Sequence, residues 1–156
     1  MLLRALMDPL IERALYEDLA GGDLSAEACV EPERRATANA LVKASTVVCG
    51  GAVFRRVFEV LDADVRFEER VPDGTLAAKG TLIWSVEGRA RSLLMAERTA
   101  LNFVQRMSGT ASLARKAVDA LPPGSKTRIA DTRKTTPGLR YLERYAVRTG
   151  GAHNHR

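Results

Sequence analysis

Asp131-Thr-Arg-Lys-Thr-Thr-Pro-Gly-Leu-Arg140 is the stretch whose reading decides the fold. It follows a short apolar run, Thr127-Arg-Ile-Ala130, and precedes a segment of helical periodicity. Residues 131–134 therefore read as the point where a strand gives way to a loop and then a helix, the junction at which α/β folds bind ligands. Arg133 and Lys134, flanked by Thr132, Thr135 and Thr136, form a compact set of anion donors. On their own they would equally read as a solvated basic turn. Downstream, Thr136 is the expected helix N-cap, with Pro137 at the first helical position. Leu139, Leu142 and Ala146 give that helix a core face, and Gly150-Gly151 stops it. A lone strand and helix are not a domain, because a parallel strand needs neighbours on a sheet buried on both faces. The sequence thus reads as if it stops inside its second domain.

Upstream, Pro122-Pro-Gly-Ser125 looks like a domain junction, dividing the chain into 1–121 and 122–156. The 30 residues after Gly88 are mainly helical, with Leu93, Ala96, Ala100, Phe103, Val104 and Met107 on one face. Arg91, Arg98 and Gln105, with Asn102 nearby, form a polar line at its border. Ser108-Gly109 is expected to interrupt this helix before it resumes over 111–121.

The rest of the first unit reads as α+β with an antiparallel sheet. Residues 9–20 give an amphipathic helix with Pro9 in its first turn, followed by a short turn at Asp23-Leu-Ser25. Residues 36–49 supply one or two strands, and 52–61 a helix. Val65–Val71 alternates as a strand wet on one face. Strands at 76–77 and 82–86 are set off by the turns Pro72-Asp-Gly74 and Lys79-Gly80. No catalytic constellation lies in this first part.

Composition excludes several classes. A 156-residue chain that is 46% hydrophobic and 28% charged can bury a core and is neither disordered nor membrane-like. No apolar run approaches the roughly 20 residues needed to span a bilayer, and the start is too quickly charged for a secretory signal. Two cysteines, Cys29 and Cys49, suit a reducing compartment, and the cytoplasm is the expected location. Residues 81–156 carry 14 Lys/Arg against 5 Asp/Glu, whereas residues 1–80 carry 10 against 14. Such asymmetry points to a polyanion or to small, multiply charged ligands. Nucleic acid is disfavoured: the cations are dispersed, aromatics are only 5%, and no nucleic-acid-binding motif is present.

The residues Asp131-Thr-Arg-Lys-Thr-Thr-Pro-Gly-Leu-Arg140, Glu143-Arg-Tyr-Ala-Val-Arg148 and Gly150-Gly-x-x-Asn-His-Arg156 resemble quinolinate phosphoribosyltransferase, the carboxylating nicotinate-nucleotide pyrophosphorylase. Glu97-Arg-Thr-Ala-Leu-Asn-Phe103, Ser108-Gly109 and Glu17-Asp-Leu…Gly22-Asp-Leu24 match the same family in order and spacing. Minor departures are Thr110, where isoleucine is expected, and Ala152 in place of a third glycine.

The resemblance implies an α+β amino-terminal domain, for dimerisation and substrate gating, joined to an α/β barrel that is cut short here. It implies phosphoribosyl transfer from phosphoribosyl pyrophosphate to the ring nitrogen of quinolinate, with Mg²⁺, releasing pyrophosphate and CO₂ and leaving nicotinate mononucleotide for NAD synthesis. It implies a homodimer or an assembly of dimers. Arg133, Arg156 and Arg98 match the quinolinate-binding arginines, Arg98 being the one that reaches into the partner's site. Thr132 matches a carboxylate contact, His155 a site histidine, and Lys134 the lysine near both carboxylate and pyrophosphate. Planar dicarboxylates suit forked guanidinium groups better than point charges.

Competing readings stand beside these. Arg98 could snorkel over Leu94 and Leu101. His153 and His155 are weak as a metal pair without a third ligand, and the metal ligands of the family are not expected among these residues. Asp131 beside Arg133 and Arg156 reads as their orienter. A fragment unable to use phosphoribosyl pyrophosphate is the expectation for this chain alone. The alternatives are a non-catalytic dimerisation module and the sister family of molybdenum-associated proteins, against which the intact 132–137 and 154–156 motifs argue.

Overall fold

The structure, a computed structural model, describes residues 2–155. A three-stranded antiparallel sheet of order β1-β5-β3 is built from β1 (Arg35–Leu41), β5 (Leu82–Arg89) and β3 (Arg66–Glu69). A two-stranded ladder pairs β2 (Thr46–Val47) with β4 (Leu76–Ala77). The helices are α1 (Arg4–Leu19), α2 (Leu24–Cys29), α3 (Gly51–Leu61), α4 (Ala90–Asp119) and α5 (Arg140–Thr149).

The core forms where α3 and α4 meet the sheet. Phe54 stacks between Trp84 and Phe58, with ring centroids 4.9 and 5.0 Å away. The helical face foreseen for α4 is the buried one: Leu93, Ala96, Ala100, Val104 and Met107 are core residues, and Phe103 packs at its margin. Gly50 shows why the chain can turn into α3 here. Its φ of +109° is left-handed, and a Cβ would lie 3.0 Å from Met107 Sδ.

Several expectations are corrected. Helix α4 runs unbroken through Ser108-Gly109. Ser108 Oγ accepts from Cys49 N and donates to Cys49 O, and Ser112 Oγ accepts from Val47 N at 2.8 Å. Tertiary bonds thus hold the helix where local propensity would end it. Pro9 lies in the second turn of α1, because burial of Met7 and Ile11 extends the helix upstream to Arg4. Asp23 does not merely turn the chain: its Oδ1 accepts from Ala26 N at 3.0 Å and caps α2.

Thr136 is not an N-cap. Residues 136–139 form a turn closed by Leu139 N to Thr136 O at 3.0 Å, and Gly138 at φ +81° prevents a helix through it. Helix α5 therefore starts at Arg140. The strand expected at 127–130 is reduced to a single parallel bridge, Ala130 with His153. That bridge adds something not foreseen, a second extended segment after α5. Asp131 N bonds His153 O at 2.8 Å, and His153 N bonds Ile129 O at 2.9 Å. Segment, helix and parallel segment make one strand–helix–strand crossover.

Candidate functional site

The crossover sets the geometry of the site. Two adjacent segments run parallel, so the residues just past each carboxyl end emerge on the same edge. Thr132, Arg133 and Lys134 follow the first segment, and His155 follows the second. Asp131 joins them. Its side chain is 7% exposed and accepts from Arg144 Nε at 3.2 Å and His155 N at 2.6 Å. The Asn154 amide, with its nitrogen turned inward, donates to Asp131 Oδ2 at 2.9 Å and to the Arg144 carbonyl at 3.0 Å. The expected orienter role is corrected for Arg133: Asp131 fixes Arg144, the Asn154 amide and the His155 backbone instead. Arg156 lies outside the described residues.

The loop is held from beneath. Lys134 N donates to Thr132 Oγ1 at 3.1 Å, which leaves the Thr132 hydroxyl hydrogen available to a ligand oxygen. Arg140 donates from Nε to Thr135 Oγ1 at 3.0 Å and from its terminal nitrogen to Arg133 O at 3.1 Å. Arg106 reaches Thr136 Oγ1 at 2.9 Å, and Glu143 accepts from Thr136 N at 3.2 Å. These residues bind the loop's backbone and hydroxyls while Arg133, Lys134 and His155 stay exposed. Sequence reasoning missed Arg140, Arg144 and Glu143 as supports. Their signal was the spacing of three and four that puts them on one side of α5.

A second seam holds α5 to the amino-terminal unit. Asp73 accepts from Gly50 N at 2.9 Å, Gly51 N at 3.1 Å and Tyr145 Oη at 2.8 Å. It therefore caps α3 and anchors α5 at once. Burial, and then the Asp73 charge, push the Tyr145 phenol well above its usual range. The adjacent Cys49 thiol, buried in the same seam, is pushed up to about 12, chiefly by burial.

Arg98 does not join Thr132, Arg133, Lys134 and His155 within one chain. It stands eight residues before Arg106, about 12 Å along α4, and pairs with Asp18 of α1 at 2.7 Å. The hydrogen bond to Asp18 raises its pKa further. Arg91, on the same polar line, is used internally: it donates to Val30 O and Glu27 O and closes the carboxyl end of α2. A cavity of about 600 Å³ opens between α1, α4 and the 137–139 turn. Arg13, Glu17, Asp18, Asn102 and Arg106 line it, and none of Thr132–Lys134 or His155 does. Among the described residues no three His, Cys, Asp or Glu side chains converge to hold a metal ion, and no helix is long and apolar enough to cross a membrane.

Comparison with known proteins places this chain in a family. The model described as quinolinate phosphoribosyl transferase, N-terminal domain, matches residues 23–108, and that of the C-terminal domain matches residues 110–156. The probable carboxylating nicotinate-nucleotide pyrophosphorylase of Bacillus subtilis (strain 168) is 40% identical over 147 residues, 94% of this chain and 50% of the relative. The decarboxylating quinolinate phosphoribosyltransferase 1b of Nicotiana tabacum is 38% identical over 94% of this chain and 41% of its own. Among solved structures, NadC from Streptococcus pyogenes superposes with a TM-score of 0.95 at 41% identity, covering 100% of this chain and 55% of that one. The nicotinate-nucleotide pyrophosphorylase from Francisella tularensis gives 0.92 at 35% identity, covering 100% and 55%. The chain spans about half the length of the curated relatives it matches. It belongs to the quinolinate phosphoribosyl transferase family, and its fold is the α+β amino-terminal domain with the start of the barrel.

Proposed function

We propose, from that membership, that this chain supplies one wall of a quinolinate site. The reaction is transfer of phosphoribose from phosphoribosyl pyrophosphate to quinolinate with loss of CO₂, giving nicotinate mononucleotide and pyrophosphate in NAD biosynthesis. The observation that carries this reading is the parallel bridge of Ala130 with His153, with Asp131 Oδ1 accepting from His155 N at 2.6 Å, which sets the loop after Asp131 beside His155.

Each group has a task suited to its chemistry. Arg133 offers a planar fork to one quinolinate carboxylate, and Thr132 donates its hydroxyl hydrogen. Lys134 supplies a mobile point charge between the dicarboxylate and the departing pyrophosphate. His155 borders the ring, and Arg156 takes the second carboxylate. Arg98 serves the site of a partner copy, which makes the working unit a homodimer or a dimer-based oligomer. Its distance from the loop of its own chain supports that reading. Residues 1–121 are the dimerising and gating part, and 122–156 begin the barrel. The family resemblance implies Mg²⁺, and the described residues do not form a site for it. The two free cysteines support a reducing, cytoplasmic setting.

Calorimetric titration of quinolinate into wild type and Arg133→Ala tests the assignment. Removing a forked charge from a carboxylate is expected to weaken binding about tenfold or more. Equal affinities would sink it.

A further inference from the structure

Among the described residues, several arginines spend the edge of the guanidinium formed by Nε and NH2 on partners within the fold. Arg56 gives Nε and a terminal nitrogen to the two oxygens of Asp8, at 2.9 and 3.0 Å. Arg89 gives the same edge to Asp62, both at 3.0 Å. Arg91 gives it to two carbonyls. In each the fork that would receive a planar carboxylate is already taken. Arg98 differs. Among the described residues it meets Asp18 through NH1 alone, at 2.7 Å, so the fork formed by Nε and NH2 remains open. The two side chains differ in setting as well: that of Arg98 is 73% exposed, while that of Asp18 is 20% exposed, at the rim of the cavity between α1 and α4.

We infer that Asp18 is a positioning residue for Arg98, gripping one end of the guanidinium so that its open fork is presented outward to a carboxylate of the substrate. This rests on the quinolinate reading above. A long arginine side chain free in solvent must be ordered when it binds, at a cost that falls on affinity. Asp18 orders it beforehand, at the end of α1, against the rigid shaft of α4. The grip is on NH1, so it orients the group without competing for the edge the ligand uses.

The test uses quinolinate titration of wild type, Asp18→Ala, Asp18→Asn and Arg98→Ala, with thermal unfolding of each. Asp18→Ala is expected to bind about three- to tenfold more weakly, the range for one newly immobilised side chain. Asp18→Asn keeps an oxygen that accepts from NH1 and should bind within about twofold of wild type. Unfolding midpoints should stay within about 3 °C, because an exposed ion pair contributes little to stability. Equal or tighter binding by Asp18→Ala, with binding still lost in Arg98→Ala, overturns the positioning role and leaves the site assignment standing. Failure of the asparagine to restore affinity also overturns it. No binding by wild type overturns the quinolinate reading and this inference with it.

Discussion

Tyr145 Oη lies 2.8 Å from Asp73 Oδ2, and through that contact the crossover of residues 127–155 is bolted to the turn before β4. The same carboxylate holds the amide groups of Gly50 and Gly51. Tyr145→Phe removes one donor of three and leaves a part-buried oxygen short of a partner. A loss of about 1–2 kcal/mol is expected from urea unfolding. Tyr145→Phe as stable as wild type would show the seam to be energetically idle.

The two thiols should separate cleanly. Cys29 is exposed, while Cys49 is buried and held up at about 12. Since the thiolate is the reactive form, a disulfide reagent at pH 8 is expected to titrate one thiol quickly in the native chain and the second only after unfolding. Protection of both, or rapid labelling of both, would contradict the seam as described.

Asp62 predicts an acid limb. Its carboxylate is 1% exposed and accepts from Arg89 Nε, an Arg89 terminal nitrogen and the amides of Asp64 and Arg89. The Arg89 hydrogen bonds chiefly hold its pKa down to about 2. A carboxylate depressed in the folded state stabilises above its unfolded pKa and loses that contribution as pH falls through the folded value. Stability should therefore drop by about 2 kcal/mol between pH 4 and pH 2 from this group. Asp62→Asn, measured by denaturant titration over that window, should lack this part of the slope.

Gly150 is required by closeness rather than by backbone twist. Its φ is an ordinary −71°, yet a Cβ there would lie 2.3 Å from Ala111 O and 2.7 Å from Ala114 Cβ. Gly150→Ala must push α5 off α4, and a loss of about 3 kcal/mol or more is expected in thermal or urea unfolding. Gly109→Ala is the control. Nothing lies within 4 Å of its added Cβ, and in the middle of α4 it should stabilise by about 0.5–1 kcal/mol.

Mixing tests whether Arg98 works across copies. Arg98→Ala and Arg133→Ala chains are each expected to bind quinolinate poorly. A hybrid pair carries one site with both arginines intact, so refolding the two together should recover binding in a fraction of sites. Absence of recovery, with hybrids verified by mass, would place Arg98 in the site of its own chain.

What the sequence disclosed follows from how local each signal is. The stripe Leu93, Ala96, Ala100, Val104 and Met107 was legible because helical periodicity repeats within a few residues. The Asp131–Lys134 loop was legible because its cations and hydroxyls are adjacent in sequence. The continuation of α4 through Gly109 was not, since Ser108 and Ser112 draw on residues 46–49, some sixty positions away. The Asp73–Tyr145 bond joins residues 72 positions apart, and no local pattern announces it. His153 had no readable role because its backbone, not its imidazole, makes the parallel bridge. The carboxylate that pairs with Arg98 comes from α1, 80 positions away, and is again a distant partner.

The unbroken course of α4 makes the helix a measuring rod. Arg106 marks the spot on it that touches the loop of its own chain, and Arg98 the spot eight residues away that does not. A rod of this kind has a fixed unit. Inserting or deleting one residue between the two marks changes their spacing by about 1.5 Å and swings one against the other by about 100°. Side chains on either mark can be exchanged at modest cost, whereas the count of residues between them cannot change without aiming one arginine away from its target. In this chain a length of helix, more than any single contact, stores the distance between the loop that Arg106 touches and the Asp18 pair that holds Arg98.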